Sequence, residues 1–269
     1  MSRLSLLGSR PDCRRDDAQS AVCRTFERIG PASAVAGMVA TPMSFAAAAF
    51  EKDGRNIVIG TDRRWCEVLG DGSYTPCDKD ALKCFRLNDN VALAITGMAK
   101  SMLELLALIY KDESIAETPH SEIKQVGCRG IPAHLGLGDV ANMIDDSILP
   151  VVGRLRDTPY ENCFGVIAAG RLTGKPTICH WGEDTAWKRL ALNHPSPPAC
   201  SLPPELREPK LRASWKPKLD KRLTVLGLPA HIRIGDAIKL LGEDESIVSA
   251  NARPLLRSMH VGFSELPAA

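Results

Sequence analysis

Aromatic residues are scarce in this chain, at 5% of 269, and no apolar run approaches the roughly 20 residues that cross a bilayer as a helix. A membrane-spanning helix is therefore not expected. The opening stretch MSRLSLLGSRPDCRRDDAQS has only the four-residue apolar patch LSLL, too short for a signal-peptide core, so no export is expected. An excess of one charge is missing too: 34 Lys and Arg against 32 Asp and Glu leave +2, which gives the whole chain no electrostatic pull toward nucleic acid or a membrane surface. The nine cysteines, at 13, 23, 66, 77, 84, 128, 163, 179 and 200, form an odd set without a Cys-x-x-Cys pair. They read as reduced thiols rather than a disulfide framework, and place the protein in the cytoplasm. There is no Gly-x-Ser-x-Gly elbow and no GxxxxGK[ST] loop, so an α/β-hydrolase or P-loop enzyme has no anchor.

What is present is a chain with 44% hydrophobic residues, enough to fill a core. Residues 1–42 are arginine-rich and then small and Pro/Gly-punctuated, with one helical stretch at 16–29, and read as an extension. From Ser44 the pattern changes. SFAAAAF and NIVIGTD are strand-length runs around EKDGR, whose Asp-Gly signals a hairpin, and LKCFRL and VALAITG form a second pair around NDN. The segment RRWCEVLGDGSYTPCDKDA between the two pairs reads as a polar loop. MAKSMLELLALIYK and GDVANMIDDSILPVVGRLRD then carry helical spacing, the latter capped by Asp139 and kinked or ended by Pro150. CFGVIAAGRL, PTICHWG and AWKRLAL resume the strand pattern, so residues 43–193 read as one core. Helices grouped on antiparallel strands, rather than alternating with them, argue for an α+β fold. Residues 194–269 open on a proline-broken basic segment in which only GDAIKLLG and ESIVSANARPLLRSM look helical, and either complete the core or are appended to it.

Three motifs point elsewhere and are set aside. GLGDVA at 136–141 has an alanine for the third glycine of a dinucleotide loop and no strand before it. Cys179 and His180 are adjacent, and Cys66, Cys77 and Cys84 share a segment, but the spacings do not match zinc clusters, so neither a metal nor a cofactor is expected. Arg207 to Arg222, with Trp215 inside, reads as a solvated charge run; an RNA-associated role for it would show as a steep salt dependence of binding.

The polar residues at the strand ends remain. Ser44 opens the first run, Asp62 closes the second, Lys83 opens the third and Gly97 ends the fourth just before a helix. In a twisted antiparallel sheet these ends can converge at one edge. SFAAAAF…DGRNIVIGTDRR and LKCFRLNDNVALAITGMAKSMLELL, with the distance from Lys83 to Gly97, resemble the proteasome-type N-terminal nucleophile hydrolases, which include proteasome β subunits and their bacterial relatives. The similarity covers residues 43–112 well and 139–193 in outline. It implies a four-layer αββα sandwich of two antiparallel sheets, a ring of like subunits, and a peptide or protein substrate. It sets Ser44 where that family has its N-terminal threonine, Asp62 on its acid, Lys83 on its lysine and Gly97 on its glycine, with a two-residue insertion around Arg55 and Asn56.

A hydroxyl is a weak nucleophile at neutral pH, and a free α-amine with a pKa near 8 can take its proton. Lys83 beside the hydroxyl would keep that amine's proton affinity low and favour the alkoxide, Asp62 would hold the lysine, and the Gly97 N–H would face the oxyanion. The amine must be free, yet 43 residues precede Ser44. Either a propeptide is cleaved, although Met43 stands where that family carries glycine, or translation starts at Met43 and methionine removal exposes the serine. The second route is the preferred expectation. Thr41, followed by Pro42, is the weaker nucleophile. The family's Gly-Ser-Gly-Ser-like turn is replaced by LALNHPSPPACSLPPEL, which offers Ser196 or Ser201, and its late aspartate has only Asp236 and Asp244 as counterparts. The alternative reading is a non-catalytic ring subunit that keeps the 16–29 segment as a terminal helix.

Overall fold

The computed structural model describes residues 45–62, 65–68, 74–78, 83–119, 122–127, 129–155, 164–201, 209–225, 227–243 and 264–265. The hairpin signal at Asp53-Gly54 is realised: β1 (Ala46–Phe50) runs antiparallel to β2 (Ile57–Thr61), with Phe50 opposite Ile57. Gly54 takes φ +67 in the turn, a left-handed conformation that glycine adopts without a Cβ penalty. The second expected hairpin is also present, as β5 (Cys84–Arg86) against β6 (Val91–Thr96). Between the pairs the structure departs from the sequence reading. The segment expected as a loop contains an antiparallel strand pair of its own, β3 (Trp65–Val68) with β4 (Tyr74–Asp78).

The two pairs do not share a sheet. Beyond β6 the chain forms α1 (Ala99–Tyr110), the short α2 (Ile123–Gly127) and α3 (Leu137–Leu155), then β7 (Gly165–Leu172), β8 (Lys175–Trp181) and β9 (Leu190–Asn193). These strands extend the second pair into an antiparallel sheet of order β5-β6-β7-β8-β9. The first pair belongs to another antiparallel sheet, flanked by β10 (Ala199–Ser201) on β1 and β11 (Ser264–Glu265) on β2. Between β10 and β11 lie α4 (Pro209–Leu223) and α5 (Ala230–Glu243).

Period-two alternation sorts the side chains. Ala46, Ala48, Ile57 and Ile59 pack against Ala92, Ala94, Ile167 and Ala169 of the other sheet. The alternate residues Phe45, Ala47, Ala49 and Val58 meet Trp215, Leu219 and Leu223 of α4 and Ile234, Ala237 and Ile238 of α5. On the second sheet, Leu93, Ile95, Val166, Ala168 and Cys179 face Met102, Leu106, Ile144 and Ile148 of α1 and α3. The alanine run of β1 is thus explained by burial on both faces: all four alanines are fully buried, and small side chains let the layers approach.

Two helix readings need correction. The helix expected from an Asp139 cap starts at Leu137, and the Asp139 carboxylate instead reaches back to accept the Gly136 N–H at 2.8 Å. Pro150 does not end that helix, which continues to Leu155; Pro150 lies on the exposed face, where water can reach the carbonyl its ring leaves unbonded. The basic segment expected as irregular is helical from Pro209, because proline at a first helical position loses no internal bond and Trp215, Leu219 and Leu223 form an apolar stripe at helical spacing. The Glu51 carboxylate accepts the Ala230 N–H at 3.0 Å through either oxygen and caps α5, and Arg233 donates to the Phe50 and Leu223 carbonyls, fastening the turn between these helices to the end of β1. The expected helices at 16–29 and 245–259 lie outside the described residues. No helix among the described residues is long and apolar enough to cross a membrane.

Candidate active site

Asp62 follows the last residue of β2, and Lys83 precedes the first of β5, so each sits at the mouth of a strand in a different sheet. They meet. Lys83 Nζ donates to Asp62 Oδ2 at 2.6 Å, with side chains only 1% and 3% exposed. The other carboxylate oxygen accepts the Phe45 N–H at 2.8 Å, and the Asp62 N–H donates to the Phe45 carbonyl at 3.1 Å. Asp62 therefore fixes both the lysine and the residue that directly follows Ser44. Removing two charges from water costs several kcal/mol per ion, so a buried lysine and carboxylate persist only with close, well-bonded partners. Here the carboxylate has a charged donor and a backbone donor on separate oxygens.

Lys83 is tied to the adjoining strand through its backbone, whose carbonyl accepts the Ile95 N–H at 2.9 Å. Two residues further on is Gly97, buried at φ +117, a region that residues with a Cβ rarely enter. Met98 follows as the N-cap of α1, so Gly97 turns the chain from strand to helix. Thr96, at the end of β6, makes a hydroxyl contact with Ser201 Oγ of β10 at 2.8 Å and donates to the Gly165 carbonyl at 3.3 Å. Ser201 is the register partner of Ala46, so it stands at the start of β1. Of the two serines that sequence offered near this place, Ser201 is beside β1, whereas Ser196 lies in the turn between β9 and β10. Asp236 lies on α5; Ser44, Thr41 and Asp244 are outside the described residues. The structure thus brings Asp62 and Lys83 together and sets Gly97 on the strand bonded to Lys83. Thr96 escaped sequence reading, because a threonine ending a strand carries no signal of its own.

A Cβ on Gly165 would run into the Ser201 hydroxyl and press on Thr96 Oγ1. Gly165→Ala is accordingly expected to cost about 1–3 kcal/mol through this overpacking, read as a lower urea midpoint with an unchanged slope.

The three cysteines whose side chains are described are not poised as nucleophiles. Burial pushes the Cys84 thiol, next to Lys83, up to about 12, and burial likewise raises Cys179 and Cys200 to about 11, so all three are protonated thiols at neutral pH. Cys179 points into the helix-facing core, and adjacent strand residues face opposite ways, so it cannot share a metal with His180. The side chains of Cys66 and Cys77 are outside the described residues. The Gly136–Asp139 pair of the dinucleotide-like motif is spent on a helix cap.

No model of a known protein family matches this chain, and no curated protein matches it. Among solved structures, a eukaryotic HslV from Trypanosoma brucei matches over 82% of this chain and 98% of its own, with 11% sequence identity and a TM-score of 0.46. At that superposition and identity the likeness carries no argument about chemistry, which rests on the residues described above.

Proposed function

We propose that this protein is an amide-bond hydrolase of the proteasome-like N-terminal nucleophile type, acting on peptides or proteins, with Ser44 as nucleophile and its own α-amine as base. The observation that carries the reading is the buried Lys83–Asp62 pair, whose carboxylate also holds the Phe45 N–H. An ammonium group locked beside the entry of β1 is costly as a purely structural device. It is useful where a hydroxyl must lose a proton.

In this reading Ser44 Oγ attacks the amide carbonyl while its proton passes to the α-amine. Lys83 stabilises the developing alkoxide and keeps the amine's proton affinity low. The Gly97 N–H donates to the oxyanion, a contact typically worth about 3 kcal/mol. Collapse of the tetrahedral intermediate breaks the C–N bond, the leaving nitrogen takes the proton from the α-amine, and water then hydrolyses the acyl-enzyme by the same route. We read the packing of helices on the outer faces of two apposed sheets as the αββα sandwich that houses such sites. Leu108 and Leu149, 44% and 61% exposed on α1 and α3, support self-association into a ring as part of the same proposal. Comparing hydrolysis of fluorescein-labelled casein by the parent and by Ser44→Ala tests the reading; unchanged turnover excludes the nucleophile.

A further inference from the structure

The hydroxyl cluster at the end of β6 has no part in the mechanism just described, and its protons can be counted. A carbonyl only accepts, so in the Thr96–Gly165 contact the threonine is the donor. Thr96 has one hydroxyl proton, and with that proton on Gly165 the 2.8 Å contact to Ser201 must have Ser201 donating to Thr96. Every member is satisfied in a site where Thr96 and Ser201 are 1% and 4% exposed. The position is as telling as the bonding. Thr96 belongs to the sheet that carries Lys83 and Gly97, whereas Ser201 belongs to the sheet that carries β1. The Lys83–Asp62 pair and the Thr96–Ser201 pair are thus two polar links between the sheets, one on each side of the chain entering β1.

We infer that Thr96 is a positioning residue for the reaction proposed above, on which this inference rests: its hydroxyl, clamped between Gly165 and Ser201, fixes the Gly97 N–H relative to the nucleophile strand. Gly97 is the next residue in the chain and, as a glycine at φ +117, has no Cβ to restrict its backbone, so a neighbouring contact must hold its N–H in one direction. The strand bonds of Thr96 to Gly165 set it only against its own sheet. The Ser201 link sets it against the sheet that presents the nucleophile. Because a small misplacement of an oxyanion donor costs rate rather than folding, the clamp acts on the transition state.

The test uses the full chain made in its own host and phenylmethanesulfonyl fluoride as probe. Ser44 Oγ forms a bond to sulfur, the S–F bond breaks, fluoride leaves, and the serine proton goes to the α-amine; intact mass reports the rate of adduct formation. Thr96→Val, which keeps the shape and removes the hydroxyl, is expected to label about tenfold more slowly, and Thr96→Ser to stay within about threefold of the parent. Ser201→Ala is expected to match Thr96→Val, and the double variant to be no slower than either single one, since one clamp is lost only once. Labelling of folded Thr96→Val at the parent rate overturns the inference, as does a double variant about a hundredfold slower, which would mean separate roles. Should Thr96→Val fail to fold, parent-rate labelling of Ser201→Ala overturns it equally. A parent chain that never labels at Ser44 is a different failure: it removes the proposed function, and the clamp with it.

Discussion

Lys83→Met is expected to unfold at a distinctly lower urea concentration than the parent, with a loss of about 3–5 kcal/mol and an unchanged slope. The side chain is close in length to lysine, so the loss is not a cavity effect. It arises because Asp62, 3% exposed, loses the charged donor on its Oδ2, and a buried carboxylate deprived of its counter-ion is among the most expensive defects a core can hold. Against a total stability of about 5–15 kcal/mol, that is a large share. The companion variant Asp62→Asn/Lys83→Met separates stability from chemistry. Its amide can still accept the Phe45 N–H and carries no charge, so about half the lost stability is expected to return, the remainder reflecting the lost charge-assisted bond between the two side chains. Activity on labelled casein does not return with it. A loss below about 1 kcal/mol in Lys83→Met would mean that the pair is screened like a surface bridge, contrary to its burial.

Ser44→Ala is expected to lower turnover by four orders of magnitude or more, the scale seen when the nucleophile of an acyl-transfer site is deleted. Lys83 and the Gly97 N–H then stabilise charges that never form. The urea midpoint serves as the folding control, so that a loss of activity without loss of stability isolates the hydroxyl. Turnover within about tenfold of the parent would require another nucleophile. The described cysteines do not supply one, since their buried thiols are raised to about 11 or 12.

Much of this architecture was written locally. The Asp53-Gly54 turn, the alternating run before it and the one after it specify a hairpin with its register, and Phe50 stands opposite Ile57 as that turn requires. What local pattern could not say was which sheet each hairpin joins. Ala46 and Ala94 look alike in sequence, yet they enter one shared core from different sheets, and only the packing of the two sheets reveals it. The meeting of Asp62 with Lys83 is of the same kind: 21 residues and a change of sheet lie between them. Prolines misled at 209 and 217, because the stripe of Trp215, Leu219 and Leu223, which decides for helix, is read only when the breakers are discounted. The β3–β4 hairpin was hidden by its polar composition, although Gly-Asp-Gly-Ser between two aromatic-led runs is a turn signal. Thr96 and Ser201, 105 residues apart, had no local sign at all.

Everything in the proposed chemistry requires an unblocked amine on Ser44, and the intact mass of the protein recovered from its own host measures that directly. A single species whose first residue is Ser44 is expected, with Met43 and everything before it gone. A species that still begins at Met1 and retains the 16–29 segment would contradict it, because the Ser44 nitrogen would then be a peptide amide unable to take the hydroxyl proton.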